Sequence, residues 1–127
     1  MIAITPPAKL AITAGEPAGI GADLCLLLAA QGALPNNIVV IADQYLLQER
    51  ALQLGLKVVI QSVASDLPWT PQTLVVEHIA LSAPAVAGVL NLANVPYVLA
   101  TLDKALQGCL QGKYAAMVTA PVHKGII

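Results

Sequence analysis

Short unbroken apolar runs and longer stripes of helically spaced apolar residues take turns along this 127-residue sequence. That is the pattern of strands buried on both faces and separated by helices. Lys9 to Thr13 reads as the first strand and ends at a turn holding Gly15, Gly19 and Gly21. From Asp23, Leu24 to Ala30 are apolar on nearly every side, as in a helix packed on a sheet and covered from outside as well, with Gly32 and Pro35 closing it. Ile38 to Ala42 is a second strand, and Asp43 is placed to cap a helix whose stripe of Leu46, Leu47, Ala51 and Leu54 stops at Gly55. Glu49 and Arg50 point away from that stripe.

Lys57 to Gln61 is a third strand, followed by a polar loop through Ser65, Asp66, Pro68 and Pro71 in which Trp69 covers the edge of the core. Leu74 to Ile79 is a fourth, with His78 an edge or core histidine and Glu77 without a role. Val95, Val98, Leu99, Leu102, Ala105, Leu106, Cys109 and Leu110 form a helical stripe ending at Gly112, with Asn94 as its cap and Pro96 in its first turn. Tyr114 to Thr119 is the last strand. Strands alternating with helices predict right-handed crossovers and a three-layer αβα fold with a mainly parallel sheet. Ligands of such sheets bind beyond the carboxyl ends of the strands, where the Gly15–Gly21 turn and the residues after Thr119 both fall.

Composition changes this picture in one respect. The chain is 57% hydrophobic and 10% charged, where soluble domains are roughly a quarter charged. Part of its apolar surface is therefore expected to face a further domain or a second subunit. Six cations against seven anions give a net charge of -1 without clustering, which argues against nucleic-acid or anionic-membrane partners. Ile79 to Leu102 carries no charge, but Ser82, Pro84, Asn91, Asn94 and Pro96 interrupt it, so it reads as a loop and helix and not as a membrane span. Cys25 and Cys109 fall in helical patterns as small hydrophobes, and together with an amino terminus unlike a signal peptide they predict a cytoplasmic protein.

The glycine turn offers a ligand close approach to backbone and the free amides that open a helix, but Glu16 adds a negative charge that a plain phosphate cradle would not want. Its G-x-x-x-G-x-G spacing is neither a dinucleotide fingerprint nor a P-loop. On spacing alone, a simple strand-to-helix turn and a ligand-lining loop both stand. The same holds for the second segment, where Thr119 offers a hydroxyl, His123 a group titrating near neutrality and Lys124 a cation, or all three merely line a polar loop.

The wording of the two segments says more. Ile12-Thr13-Ala14-Gly15-Glu16-Pro17-Ala18-Gly19-Ile20-Gly21-Ala22-Asp23 resembles the amino-terminal motif of the 4-hydroxythreonine-4-phosphate dehydrogenase family, with alanine at positions 14 and 22 where relatives often have proline. Val118 to Gly125 is similar to the same family's Thr-Gly/Ala-Pro-x-His/Asn-Lys-x motif. The resemblance implies that residues 1–127 are the amino-terminal α/β portion of a longer two-domain dehydrogenase with an isocitrate/isopropylmalate dehydrogenase-like fold. It also implies an enzyme that uses NAD or NADP and a divalent metal (Zn, Mg or Co), and that oxidises and decarboxylates a phosphorylated substrate in pyridoxal phosphate biosynthesis; the low charge adds the expectation that the intact protein is a homodimer. Gly15, Glu16, Gly19, Gly21, Thr119, His123 and Lys124 would line its cleft. Asn in place of His123 in some relatives argues for hydrogen bonding there over catalysis. The family's metal histidines lie beyond Ile127, so the chain alone is expected to be inactive. A related isopropylmalate-type dehydrogenase, an acyl-phosphate transferase of similar fold and a non-catalytic anion-binding module are the alternatives.

Overall fold

Five strands pair in parallel throughout the computed structural model, which describes residues 8–120. They are β1 (Leu10–Thr13), β2 (Ile38–Ala42), β3 (Val59–Ser62), β4 (Thr73–His78) and β5 (Ala116–Thr119), in the order β3-β4-β2-β1-β5. The first strand made thus lies between the second and the last, with Thr13 opposite both Ile41 and Thr119. Helices α1 (Gly21–Ala30) and α2 (Gln44–Leu54) pack on one face, and α3 (Val95–Leu110) on the other. Connections running toward β3 use the α1/α2 face, and the return from β4 to β5 uses the α3 face. Both moves have the same hand, as the right-handed crossover rule requires.

The unbroken apolar run of β2 fits its central place. Val40 and Ala42 bury against α1 and α2, while Val39 and Ile41 bury beneath α3. Asp43 caps α2 as expected, its Oδ1 accepting from the Tyr45 and Leu46 amides at 2.8 and 3.2 Å. Gly55 ends that helix at φ 67°, a left-handed conformation that glycine adopts without strain. The limits of β2 are those expected, the other strands differ by one or two residues at one or both ends, and Trp69 is half-buried.

Three readings need correction. The buried stripe of α3 is Tyr97, Val98, Thr101, Ala105 and Gly108, while Leu99, Leu106 and Leu110 are exposed. Tyr97 turns the helix: its Oη accepts the buried Asp43 amide at 3.0 Å, a tertiary bond that apolar periodicity does not encode. Asn94 makes no cap hydrogen bond; its Oδ1 accepts instead from the Ser82 and Ala83 amides at 3.1 and 2.9 Å. His78 is neither core nor edge. It is exposed at the carboxyl end of β4, where Nδ1 accepts the Gln44 amide at 3.0 Å and the ring meets Tyr45 edge-on. Among the described residues, no helix is long and apolar enough to cross a membrane.

Candidate functional site at the carboxyl edge of the sheet

The β1–α1 loop folds tightly because its glycines stand where side chains do not fit. Gly15 has φ 76°. A Cβ on Gly21 would lie 1.9 Å from the Ala14 carbonyl oxygen and 2.8 Å from the Ala120 Cβ, so this glycine lets the start of α1 press against the end of β5. Gly19 donates its amide to the Glu16 carbonyl at 3.0 Å, and Glu16 itself is buried. Among the described residues no side chain caps α1, and the amides of its first turn face the edge with the positive end of the helix dipole. Asp23 in that turn is forked by Arg50 of α2, with Nε–Oδ1 2.9 Å and Nη2–Oδ2 2.7 Å.

The segment after β4 is stitched both to this loop and to the cap of α2. The Gly88 amide donates to the Ala18 carbonyl at 3.0 Å, and the Leu81 amide to Asp43 Oδ2 at 2.8 Å. Between them lies a cavity of about 210 Å3 lined by Glu16, Ala18, Gly19, Gly88 and Leu90. Another of about 270 Å3 on the α2 side is lined by Pro17, Leu46, Glu49, Arg50, Gln53 and residues 85–87. Among the described residues, two buried polar atoms at this edge have no partner, Thr13 Oγ1 and Asn94 Nδ2. With Asn94 Oδ1 held by two backbone amides, its NH2 group is left as a donor. Such buried capacity is costly unless a water or ligand uses it.

Of the residues singled out in the sequence, Gly15, Glu16, Gly19 and Gly21 form this loop, and Thr119 ends β5 beside Thr13. The Ala120 amide continues the pairing to the Thr13 carbonyl at 3.0 Å. His123 and Lys124 lie outside the described residues. Sequence reasoning missed Arg50, Tyr97 and the unpartnered Thr13 and Asn94 groups. Their contacts join elements distant in sequence, and no local pattern could have found them. The edge suits a ligand approached by backbone amides and small hydroxyl or amide groups. A divalent metal does not fit the described residues alone, among which no three His, Cys, Asp or Glu side chains cluster.

A profile of the family described as "Pyridoxal phosphate biosynthetic protein PdxA" matches residues 34–127. The 4-hydroxythreonine-4-phosphate dehydrogenase of Vibrio cholerae is 52% identical over 122 residues, covering 94% of this chain and 37% of that protein. Its counterpart from Pseudomonas putida is 53% identical over 125 residues, covering 95% and 38%. The crystal structure of a 4-hydroxythreonine-4-phosphate dehydrogenase from Klebsiella pneumoniae superposes with a TM-score of 0.82 at 25% identity, over 94% of this chain and 39% of that one. The chain therefore spans little more than a third of the length of these relatives.

Proposed function

Since the chain belongs to the PdxA family of pyridoxal phosphate biosynthetic proteins, we propose that residues 1–127 form the amino-terminal α/β portion of a two-domain, NAD- or NADP-dependent dehydrogenase. Its substrate is 4-phosphohydroxy-L-threonine. Oxidation of the secondary alcohol gives 2-amino-3-oxo-4-phosphooxybutyrate, which loses CO2 to form 3-amino-2-oxopropyl phosphate. The observation that carries this reading is family membership combined with a glycine loop packed on the end of β5 at an uncapped helix terminus.

This part of the protein binds and orients. The α1 amides and Lys124 supply positive potential for a phosphate, Thr119 and His123 supply hydrogen bonds, and Glu16 orients a hydroxyl or the substrate ammonium. The nicotinamide, when bound, accepts the hydride. Gly15, Gly19 and Gly21 keep the loop thin enough for a cofactor or substrate to approach its backbone. The divalent metal belongs to residues outside this chain. The working enzyme is a cytoplasmic homodimer.

The test is NAD(P) reduction with 4-phosphohydroxythreonine and added divalent metal. A protein of the relatives' full length carrying this chain should turn over, and the 127-residue chain alone should not. In the full-length protein, Lys124→Ala should lower kcat/KM by about tenfold or more, a loss of roughly 1.4 kcal/mol of transition-state stabilisation, with Tm nearly unchanged. Turnover by the isolated chain would overturn the division of labour. An inert full-length protein would overturn the activity.

A further inference from the structure

Thr13 and Asn94 hold hydrogen-bonding capacity that none of the described residues uses, and they hold it on the same side of the carboxyl edge. Thr13 follows Ala11 by two residues on β1, and Ala11 belongs to the core under α3, so the Thr13 side chain also faces α3. Asn94 stands immediately before α3. Three residues on, the Tyr97 hydroxyl meets the Asp43 amide at the end of β2, so the start of α3 lies over this edge. The two residues are 0% and 1% exposed. Asn94 spends Oδ1 on the Ser82 and Ala83 amides, which leaves its NH2 group as a pure donor. Thr101, equally buried further along α3, shows the usual solution: its hydroxyl donates to the Val98 carbonyl at 2.7 Å. The Thr13 hydroxyl has no such outlet, and a valine of nearly the same shape would be free of that cost. Thr119 pairs in register with Thr13, shares its face and is exposed, so this group of side chains is open from the β5 side.

We propose that Asn94 Nδ2 and Thr13 Oγ1 donate hydrogen bonds to a flat, oxygen-bearing group of a bound ligand, a carboxylate or a carboxamide. The inference rests on the dehydrogenase reading above, which supplies two such groups, the carboxylate of the substrate and the carboxamide of nicotinamide. An amide NH2 group donates and cannot accept, and the positive end of the α3 dipole lies beside it, so the partner is an acceptor oxygen and not a cation. The phosphate already has the α1 amides and Lys124. The loop from Pro84 to Leu92 is closed at its base by Asn94 Oδ1 and leaves Val86, Val89, Leu90 and Leu92 exposed, so it buries little and can shift at small cost to admit the group.

The experiment uses a protein of the relatives' full length that carries this chain. Thr13→Val removes the hydroxyl, and Asn94→Asp keeps an oxygen for the Ser82 and Ala83 amides while removing the NH2 group. Measured are KM for 4-phosphohydroxythreonine and for NAD(P), calorimetric binding of NADH and of ADP-ribose, which lacks the nicotinamide, and Tm. Thr101→Val is the control, since it removes a buried hydroxyl that already has a partner. Each of the two site variants should raise one KM by about tenfold or more, with the Tm of Thr13→Val held or raised, and Thr13→Ser should recover most of the loss. The control should leave both KM values alone. A rise for NAD(P), with the preference for NADH over ADP-ribose reduced by the same factor, assigns the pair to the carboxamide. A rise for the substrate with NADH binding unchanged assigns it to the carboxylate, and either result upholds the proposal. Unchanged KM values would overturn it, and a lowered Tm beside them would mean that both groups find partners within the full-length fold. Should Asn94→Asp fail to fold, Thr13→Val decides alone. Turnover and NADH binding by the unaltered protein test the dehydrogenase reading separately; the absence of both would overturn that reading and this inference together.

Discussion

At the scale of single residues, Glu77 joins three parts of the fold through one carboxylate. It is buried on β4 and accepts hydrogen bonds from the Tyr114 hydroxyl and from Lys113 Nζ at 2.9 Å, with Lys104 of α3 at 3.6 Å. Burial alone would raise its pKa, but the hydrogen bonds from Tyr114 and Lys113 and the charges of Lys113 and Lys104 outweigh that and hold it below the usual 4.5. A pKa depressed on folding means that the unfolded chain binds the proton more readily. The stabilisation is therefore present above the unfolded value and lost as pH falls through the folded one. Glu77→Gln should cost about 1–3 kcal/mol near neutral pH, chiefly by disrupting the buried Tyr114 contact, and should flatten the decline of stability below about pH 5. Urea unfolding at a series of pH values measures both, and an unaltered acid limb would show that the carboxyl titrates normally. Nothing around Glu77 in sequence marks it, because its partners lie in α3 and just before β5. The glycine turn, by contrast, was visible at once, since its three glycines are neighbours in sequence.

At the scale of elements, the boundary of α1 rests on Gly21 more than on any cap. Gly21→Ala should destabilise by several kcal/mol, because the new methyl meets backbone at 1.9 Å and either the β1–α1 loop or the end of β5 must move. Gly55→Ala meets nothing within 4 Å and carries only the strain of its positive φ, so about 1 kcal/mol is expected. Denaturant midpoints of the two variants test the contrast; equal losses would mean that the chain around Gly21, which has ordinary helical φ, yields to the methyl without the expected clash. The same difference between local and distant causes explains what the sequence made legible. Helix α2 was readable because Asp43 and Gly55 act within a turn of its ends. Helix α3 was readable as a helix but not in its rotation, since Tyr97 takes its bearing from Asp43, the α2 cap distant from it in sequence. In the site, the loop and the end of β5 were foreseeable from parallel topology. The stitching of the 81–88 segment to that loop and to Asp43 was not, because it runs through backbone amides that any residue could supply.

At the scale of the molecule, low charge leaves large apolar side chains uncovered on α1, on the outer side of α3 and on β5. The isolated 127-residue chain should therefore self-associate at high concentration, with a scattering mass above that of one copy. A monodisperse monomer under those conditions would show that these surfaces tolerate water. The position of β1 has a further consequence, in time. The earliest in sequence of the five described strands ends up between β2 and β5. At roughly 5–20 residues per second, several seconds or more separate its synthesis from that of its last partner. Through that interval β1 has an open edge next to a half-built apolar layer, and the nascent chain must be kept from pairing elsewhere. Pairing of β1 with β5 closes the longest loop in the sheet, so that step governs how fast the sheet can be completed.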